Sequence, residues 1–205
     1  MCGIFGTINK NIQLSDLKNL LLHRGPDAQT SWNLDNVQLF HFRLSILDLE
    51  GGQQPMCRGN KVIVFNGEIY NHLEVRRKYN LSCNSNSDTE TILALYDLIG
   101  EECLLAFDGM FAFAIYDFEN KLLFLARDRA GKKPLYIYKH DNEFVFSSEL
   151  NALNGTVQLE IEDSNIFQYL RLGTHYSSQT PYKNVIELEA GSWFKLDLET
   201  MSHTT

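Results

Sequence analysis

A cysteine in second position is the residue best suited to chemistry in this chain. Cys2 follows the methionine in Met1-Cys2-Gly3-Ile4-Phe5-Gly6, so removing one residue would give a chain that begins with a thiol. Methionine is trimmed when the next side chain is small. The α-amine it leaves has a reference pKa of roughly 7.7–8.0, so about a tenth or more is free base at neutral pH. Nucleophile and base would then share one residue. A thiol needs such a partner, because the thiolate is the attacking species and free cysteine titrates near ~8.5. On residue type alone, the alternative is a small apolar side chain opening a buried strand.

The elements that must position this group follow from periodicity and punctuation. Residues 3–8 alternate as a strand that would carry Cys2 at its start. Ser15, Asp16, Leu17, Leu20 and Leu21 predict a short capped helix, ended by His23-Arg24-Gly25-Pro26-Asp27. Strands are predicted over Val37–Phe42 and Lys61–Phe65. Asn71 with Glu74, and Ser87 with Glu90, have the form of capping boxes. The first opens a helix to about Tyr79; the second opens one whose apolar stripe is Ile92, Leu93, Leu95, Tyr96 and Ile99, ended by Gly100.

Met110–Tyr116, Lys121–Arg127, Pro134–Lys139 and Glu143–Ser148 predict an antiparallel meander with Asp- and Asn-containing turns. Met110-Phe-Ala-Phe-Ala-Ile-Tyr116 is apolar at successive positions, so both its faces must be covered and its sheet sandwiched between layers. Ser164–Arg171 predicts a short helix, Ser192–Leu198 a last strand, and the polar tail Met201–Thr205 a frayed end.

Bulk properties narrow the function classes. A chain of 205 residues, 44% hydrophobic, can bury a full core as one large domain or two small ones, and one is favoured. Its net charge is −8, and its basic clusters are short, Arg76-Arg77 with the adjoining Lys78 and Lys132-Lys133, which argues against nucleic acid and anionic membrane as partners. Small molecules or protein are expected instead, and a homo-oligomer is compatible with the sequence. Cys2, Cys57, Cys83 and Cys103 contain no Cys-x-x-Cys, so neither a metal site nor a disulfide framework is expected. Free thiols, no apolar run near the ~18 residues of a membrane span and no leader pattern lead to the expectation of a cytoplasmic protein.

Nine strings then stand out in order. They are Met1–Gly6, His23-Arg24-Gly25-Pro26-Asp27, His41-Phe42-Arg43-Leu44-Ser45-Ile46-Leu47-Asp48, Gly52-Gln53-Gln54-Pro55-Met56, Asn66-Gly67-Glu68-Ile69-Tyr70-Asn71, Ser87-Asp88-Thr89-Glu90, Phe107–Phe113, Arg127–Tyr136 and Ser147-Ser148-Glu149. Together, over about residues 1–199, they resemble the glutaminase domain of glutamine-hydrolysing asparagine synthetases, which are class II glutamine amidotransferases. Residues 200–205 are left as a polar tail.

The resemblance implies an α+β fold of the N-terminal-nucleophile hydrolase type, with two antiparallel sheets face to face between helical layers (αββα). It implies that Cys2 attacks the side-chain amide of glutamine, its α-amine carrying the proton to departing ammonia before water hydrolyses the thioester. Asn66 and Gly67 would form the oxyanion hole, an amide donating without titrating and a glycine admitting close backbone approach. Outside the family, Asn-Gly is equally a hairpin signal. Free glutamine offers a carboxylate and an ammonium; Arg43 suits the first as a two-point fork, and Asp88 the second, with Glu68 as a further polar contact. Seen alone, Arg43 and Asp88 have plainer readings as a surface arginine and a helix N-cap. His23 is expected to shape a loop. Arg127-Asp128 and Ser147-Ser148-Glu149 are expected to be scaffold and interface, toward the synthetase half.

That half brings the largest departure. The Ser-Gly-Gly-x-Asp-Ser phosphate loop of the ATP-pyrophosphatase domain does not occur here, so ATP and magnesium are expected only in a synthetase domain or subunit, and no cofactor in this one. An isolated domain, a truncated product and the subunit of a split enzyme all fit. The leading function is a glutamine amidohydrolase releasing ammonia for that partner. A glutamine-binding regulatory module, or an N-terminal-nucleophile amidase for another amide, are the alternatives.

Overall fold

A computed structural model describes residues 1–205. The chain begins with strand β1 (Gly3–Ile8), helix α1 (Leu14–Leu21), β2 (Ala28–Leu34), β3 (Val37–Arg43), β4 (Met56–Arg58) and β5 (Lys61–Ile69). Helices α2 (His72–Lys78) and α3 (Asp88–Ile99) follow, then a 3-10 segment Gly100–Ala106. After them come β6 (Gly109–Asp117), β7 (Leu122–Arg127), β8 (Tyr136–His140), β9 (Glu143–Ser147), α4 (Leu150–Asn154), α5 (Asp163–Leu172), β10 (Val185–Glu187), β11 (Trp193–Asp197) and β12 (His203–Thr204).

The strands form two antiparallel sheets, ordered β10-β8-β9-β1-β3-β2 and β12-β11-β7-β6-β5-β4. Strand β6 shows why they stack. Its even residues Ala112, Ala114 and Tyr116 pack with Ile4, Leu39, Val64 and Phe146 between the sheets. Its odd residues Phe111, Phe113 and Ile115 pack outward with Ile92, Leu93 and Tyr96 of α3. Period-two alternation thus delivers one strand to two cores. Each fully buried phenylalanine on it, Phe113 for example, stabilises by about 1.5–3 kcal/mol. On the opposite outer face Phe5, Phe40 and Val145 meet Leu17 and Leu21 of α1 and Ala152 and Leu153 of α4. The result is helix, sheet, sheet, helix.

Several local expectations are corrected. The predicted meander is broken: β6 and β7 stay in the second sheet, whereas β8 and β9 cross to the first. Lys61–Phe65 continues through Asn66-Gly67 to Ile69, so that pair lies inside a strand and makes no hairpin turn. The N-cap of α1 is Gln13, whose N–H is taken by Asp16, in place of Ser15. Asn71 does not cap α2 with its side chain; its amide holds Ala106 O and Asp108 N, both at 2.9 Å. Ser87 does cap α3, accepting from Thr89 N, but Glu90 turns away to Asn84 N and Ser85 N. The tail expected to fray pairs His203 and Thr204 with β11. Strand β2 escaped prediction because Ala-Gln-Thr-Ser-Trp-Asn-Leu is an edge sequence without apolar alternation, and β4, β10 and α4 are too short to show a period.

Candidate active site

Cys2 stands at the mouth of β1, where Gly3 pairs with Phe42 and brings the thiol beside the end of β3. The thiol lies 3.5 Å from Leu44 O and 3.4 Å from Leu44 N. Burial pushes its pKa up, while the Leu44 backbone, the terminal amine, Arg43 and Arg24 pull it back toward thiolate. The sulfur opens on a cavity of about 120 Å³, lined among others by Arg43, Asn66, Gly67, Glu68, Asp88 and Lys133. Every site residue expected from the sequence is therefore brought to one place.

The backbone of Cys2 is held as firmly as its side chain is left open. Its carbonyl accepts from Arg24 Nε at 2.9 Å. Neighbours also orient the Asn66 amide: with its nitrogen 3.0 Å from Cys2 O, its oxygen accepts from Arg24 Nη2 at 3.2 Å, whereas the opposite orientation sets like groups together. The Cys2 carbonyl uses one Asn66 N–H and leaves the other free. A second free donor, Gly67 N–H, is placed by strand alternation. Phe65 N bonds Gln54 Oε1 and Ile69 N bonds Asp88 Oδ2, so N–H groups at odd positions point off the open edge of β5, and Gly67 N–H points with them toward the cavity. A Cβ at Gly67 would overlap the Met110 carbonyl, which is why the position excludes a side chain.

Arg43 ends β3 with 7% of its surface exposed. Its Nη1 donates to Leu49 O at 3.0 Å and Nη2 to Asp48 O at 2.7 Å. The surface-arginine alternative is thus excluded, and the guanidinium keeps N–H groups free toward the cavity while its two donations shape the 44–52 loop. Asp88 is no N-cap, since Ser87 has that role. Burial pushes its carboxyl up to about 6, with Glu68 adding to the rise and backbone N–H bonds opposing it. Gln54 joins the two walls, accepting from Phe65 N at 2.6 Å and donating to Thr89 Oγ1 at 3.2 Å.

The histidines divide. His23 is exposed and faces Glu149 at 3.4 Å, as fits a loop-shaping residue. His41, which the sequence did not single out as a site residue, lines the cavity floor; burial pushes its imidazole down to about 4, against the pull of the Phe65 backbone, so it stays neutral. Glu149, expected as scaffold and interface, pairs at 2.5 Å with Arg24, which holds the Cys2 carbonyl, and so makes a scaffold contact behind the thiol. Ser148 continues that support, its hydroxyl accepting from Ile4 N at 3.1 Å.

The raised Asp88 carboxyl gives a pH signature. Below about pH 6 the cavity holds Asp88 protonated, without charge for a cationic group, so a substrate bound through an ammonium there should show a KM that climbs as pH falls through that value. Asp88→Asn should have a KM roughly ten- to hundredfold higher and flat over the same range. A pH-dependent KM persisting in that variant would assign the titration to another group.

Comparisons with known proteins converge on the same reading. The sequence matches the family model described as "Glutamine amidotransferase domain" over residues 1–205. It is 38% identical to a putative asparagine synthetase [glutamine-hydrolyzing] 2 of Methanocaldococcus jannaschii, covering 97% of this chain and 44% of that protein. It is 40% identical to asparagine synthetase B [glutamine-hydrolyzing] of Escherichia coli, covering 75% of this chain and 30% of that one. The chain therefore spans less than half the length of these relatives. Among solved structures, a glutamine phosphoribosylpyrophosphate amidotransferase of B. subtilis superposes with a TM-score of 0.66 at 19% identity, covering 99% of this chain and 49% of that one. An allosteric regulatory enzyme of purine biosynthesis gives 0.68, also at 19% identity, over 99% and 48%. The stacked antiparallel sheets are those of the N-terminal-nucleophile fold, and no helix is long and apolar enough to cross a membrane. With its sequence matched from end to end, the chain belongs to the family of glutamine amidotransferase domains.

Proposed function

We propose that this domain hydrolyses free glutamine through a Cys2 thioester and supplies the ammonia to an ATP-dependent, asparagine-synthetase-like domain or subunit. Removal of Met1 frees the α-amine, which takes the thiol proton as sulfur adds to the amide carbon. Negative charge gathers on the former carbonyl oxygen, within reach of Asn66 Nδ2 and Gly67 N–H. The amine passes its proton to the leaving nitrogen, ammonia departs, and water completes the cycle by releasing glutamate. These steps use only this chain and water; ATP and magnesium would serve the partner.

The observation that carries the reading is the pairing of opposite charges along one cavity, Arg43 at one wall and Asp88 with Glu68 at the other, beside the thiol. Such a pair reads an α-carboxylate and an α-ammonium together, which a peptide-bound glutamine lacks. Glutamate release is therefore expected from free glutamine, and about a hundredfold less per unit kcat/KM from Nα-acetylglutamine or from glutamine α-amide. Equal rates on free and blocked substrates would remove the selective role of Arg43 and Asp88. Absence of release by protein whose mass shows Met1 removed would end the hydrolytic reading.

A further inference from the structure

Lys133 is a buried cation in the catalytic cavity that the mechanism so far leaves idle. It is 4% exposed, and the sole hydrogen-bond partner of its ammonium is the thioether of Met1, at 2.9 Å. No carboxylate lies within ion-pair distance of it. A thioether is a weak acceptor, and an ammonium is costly to bury without a strong one.

Its placement is enforced by the loop that carries it. Arg127 donates to the carbonyls of Lys133 and Gly131, both at 2.8 Å, and pairs with Glu187 at 2.7 Å. Asp128, 1% exposed, collects the N–H groups of Ala130, Lys132 and Lys133 on one carboxylate. Two strongly anchored residues thus hold a third whose head group meets only Met1, the residue that the proposed mechanism removes.

The other charges around Cys2 are accounted for. Arg24 is matched by Glu149. Arg43 on β3 awaits the substrate carboxylate and Asp88 on α3 its ammonium, while Glu68 on β5 lines the same cavity and His41 is neutral. Lys133 is the cation left with neither a counter-ion nor a place in the substrate reading, and burial and Arg24 push its own pKa down against the pull of Asp128, Cys2 and Glu68.

Building on the glutaminase reading, we propose that Lys133 is a positioning residue of the mature site, whose unpaired ammonium keeps the Cys2 thiol and α-amine pair from taking up a second proton. The working pair is net neutral, either thiol with amine or thiolate with ammonium, and a neighbouring cation disfavours the doubly protonated, positively charged form. Departure of Met1 thus exchanges a weak thioether contact for an electrostatic one that favours the free base.

The test is the pH profile of kcat at saturating glutamine, where Asp88 is already paired with substrate, using protein shown by mass to begin at Cys2. Lys133→Met should move the acid limb upward by about one pH unit, lowering kcat about tenfold on that limb while sparing the plateau. Lys133→Arg, which keeps the charge and cannot serve as a base, should leave the limb in place. A Lys133→Met profile that superimposes on wild type overturns the proposal, as does Lys133→Arg behaving like Lys133→Met. Wild type without any glutamate release would instead defeat the glutaminase reading beneath it. If Lys133→Met does not fold, the titration of the 15N-labelled Cys2 amine in wild type decides: a pKa well below the ordinary range of roughly 7.7–8.0 supports the proposal, and one within or above it overturns it.

Discussion

Cys2→Ala is expected to lower glutamate release on the order of 10⁴-fold or more while leaving the fold in place. The chemical part is direct, since no other thiol lines the cavity: Cys57 is exposed on β4, Cys83 precedes α3, and Cys103 is buried among the outer core residues. The structural part follows from how lightly the sulfur is held. Its contacts with Leu44, at 3.4 and 3.5 Å, are long, while the backbone of the same residue is fixed by Arg24 and Asn66. Losing one sulfur from a partly open site should move Tm by no more than about 4 °C. The checks are a continuous glutamate assay, intact mass for the absence of a glutamyl adduct, and a thermal melt. Turnover retained at more than a few per cent would show that Cys2 is not the nucleophile.

Asn66→Ala is expected to lower kcat on the order of a hundredfold or more, with KM changing little. Two losses add. One oxyanion donor disappears, and the Cys2 carbonyl and Arg24 Nη2 each lose a partner. Gly67 N–H remains, so catalysis should fall without vanishing. Steady-state kinetics with glutamine at several concentrations separates the cases: a rise in KM at unchanged kcat would place Asn66 in substrate binding and remove it from the oxyanion hole.

How legible all this was depends on what each residue must do. Met110–Tyr116 announced its place because a strand apolar on both faces admits few environments, and the structure puts one face in each of two cores. Asn66-Gly67 was ambiguous from local chemistry alone. Its strand extends to Ile69 because β6 pairs with it in register throughout, while Gln54 and Asp88, distant in sequence, satisfy the N–H groups of Phe65 and Ile69 along the other edge. Arg24, Glu149 and Lys133 were invisible as site residues for a related reason. Charged side chains are mostly exposed, and only tertiary contacts show that Arg24 is 7% exposed beneath Cys2 and Lys133 4% exposed within the cavity. The Arg127-Asp128 pair gave a pattern without a mechanism, because its partners are main-chain groups of its own loop together with Leu188 O, the Glu187 carboxylate and Phe111 N, all distant or featureless in sequence.

The proposed catalytic and substrate-binding groups are divided between the stacked layers. Cys2, just before β1, and Arg43, at the end of β3, belong to one sheet, whereas Asn66, Gly67 and Asp88 come from the other sheet and the helix laid against it. Neither half alone has both a nucleophile and a place to put the developing charge. On the proposed function, the interior packing of Ile4, Leu39, Val64 and Ala112 would act as an assembly checkpoint: a newly made or partly unfolded chain would not hydrolyse glutamine until that seam had closed. Turnover would in this sense be a built-in report on whether the two halves of the molecule have found each other.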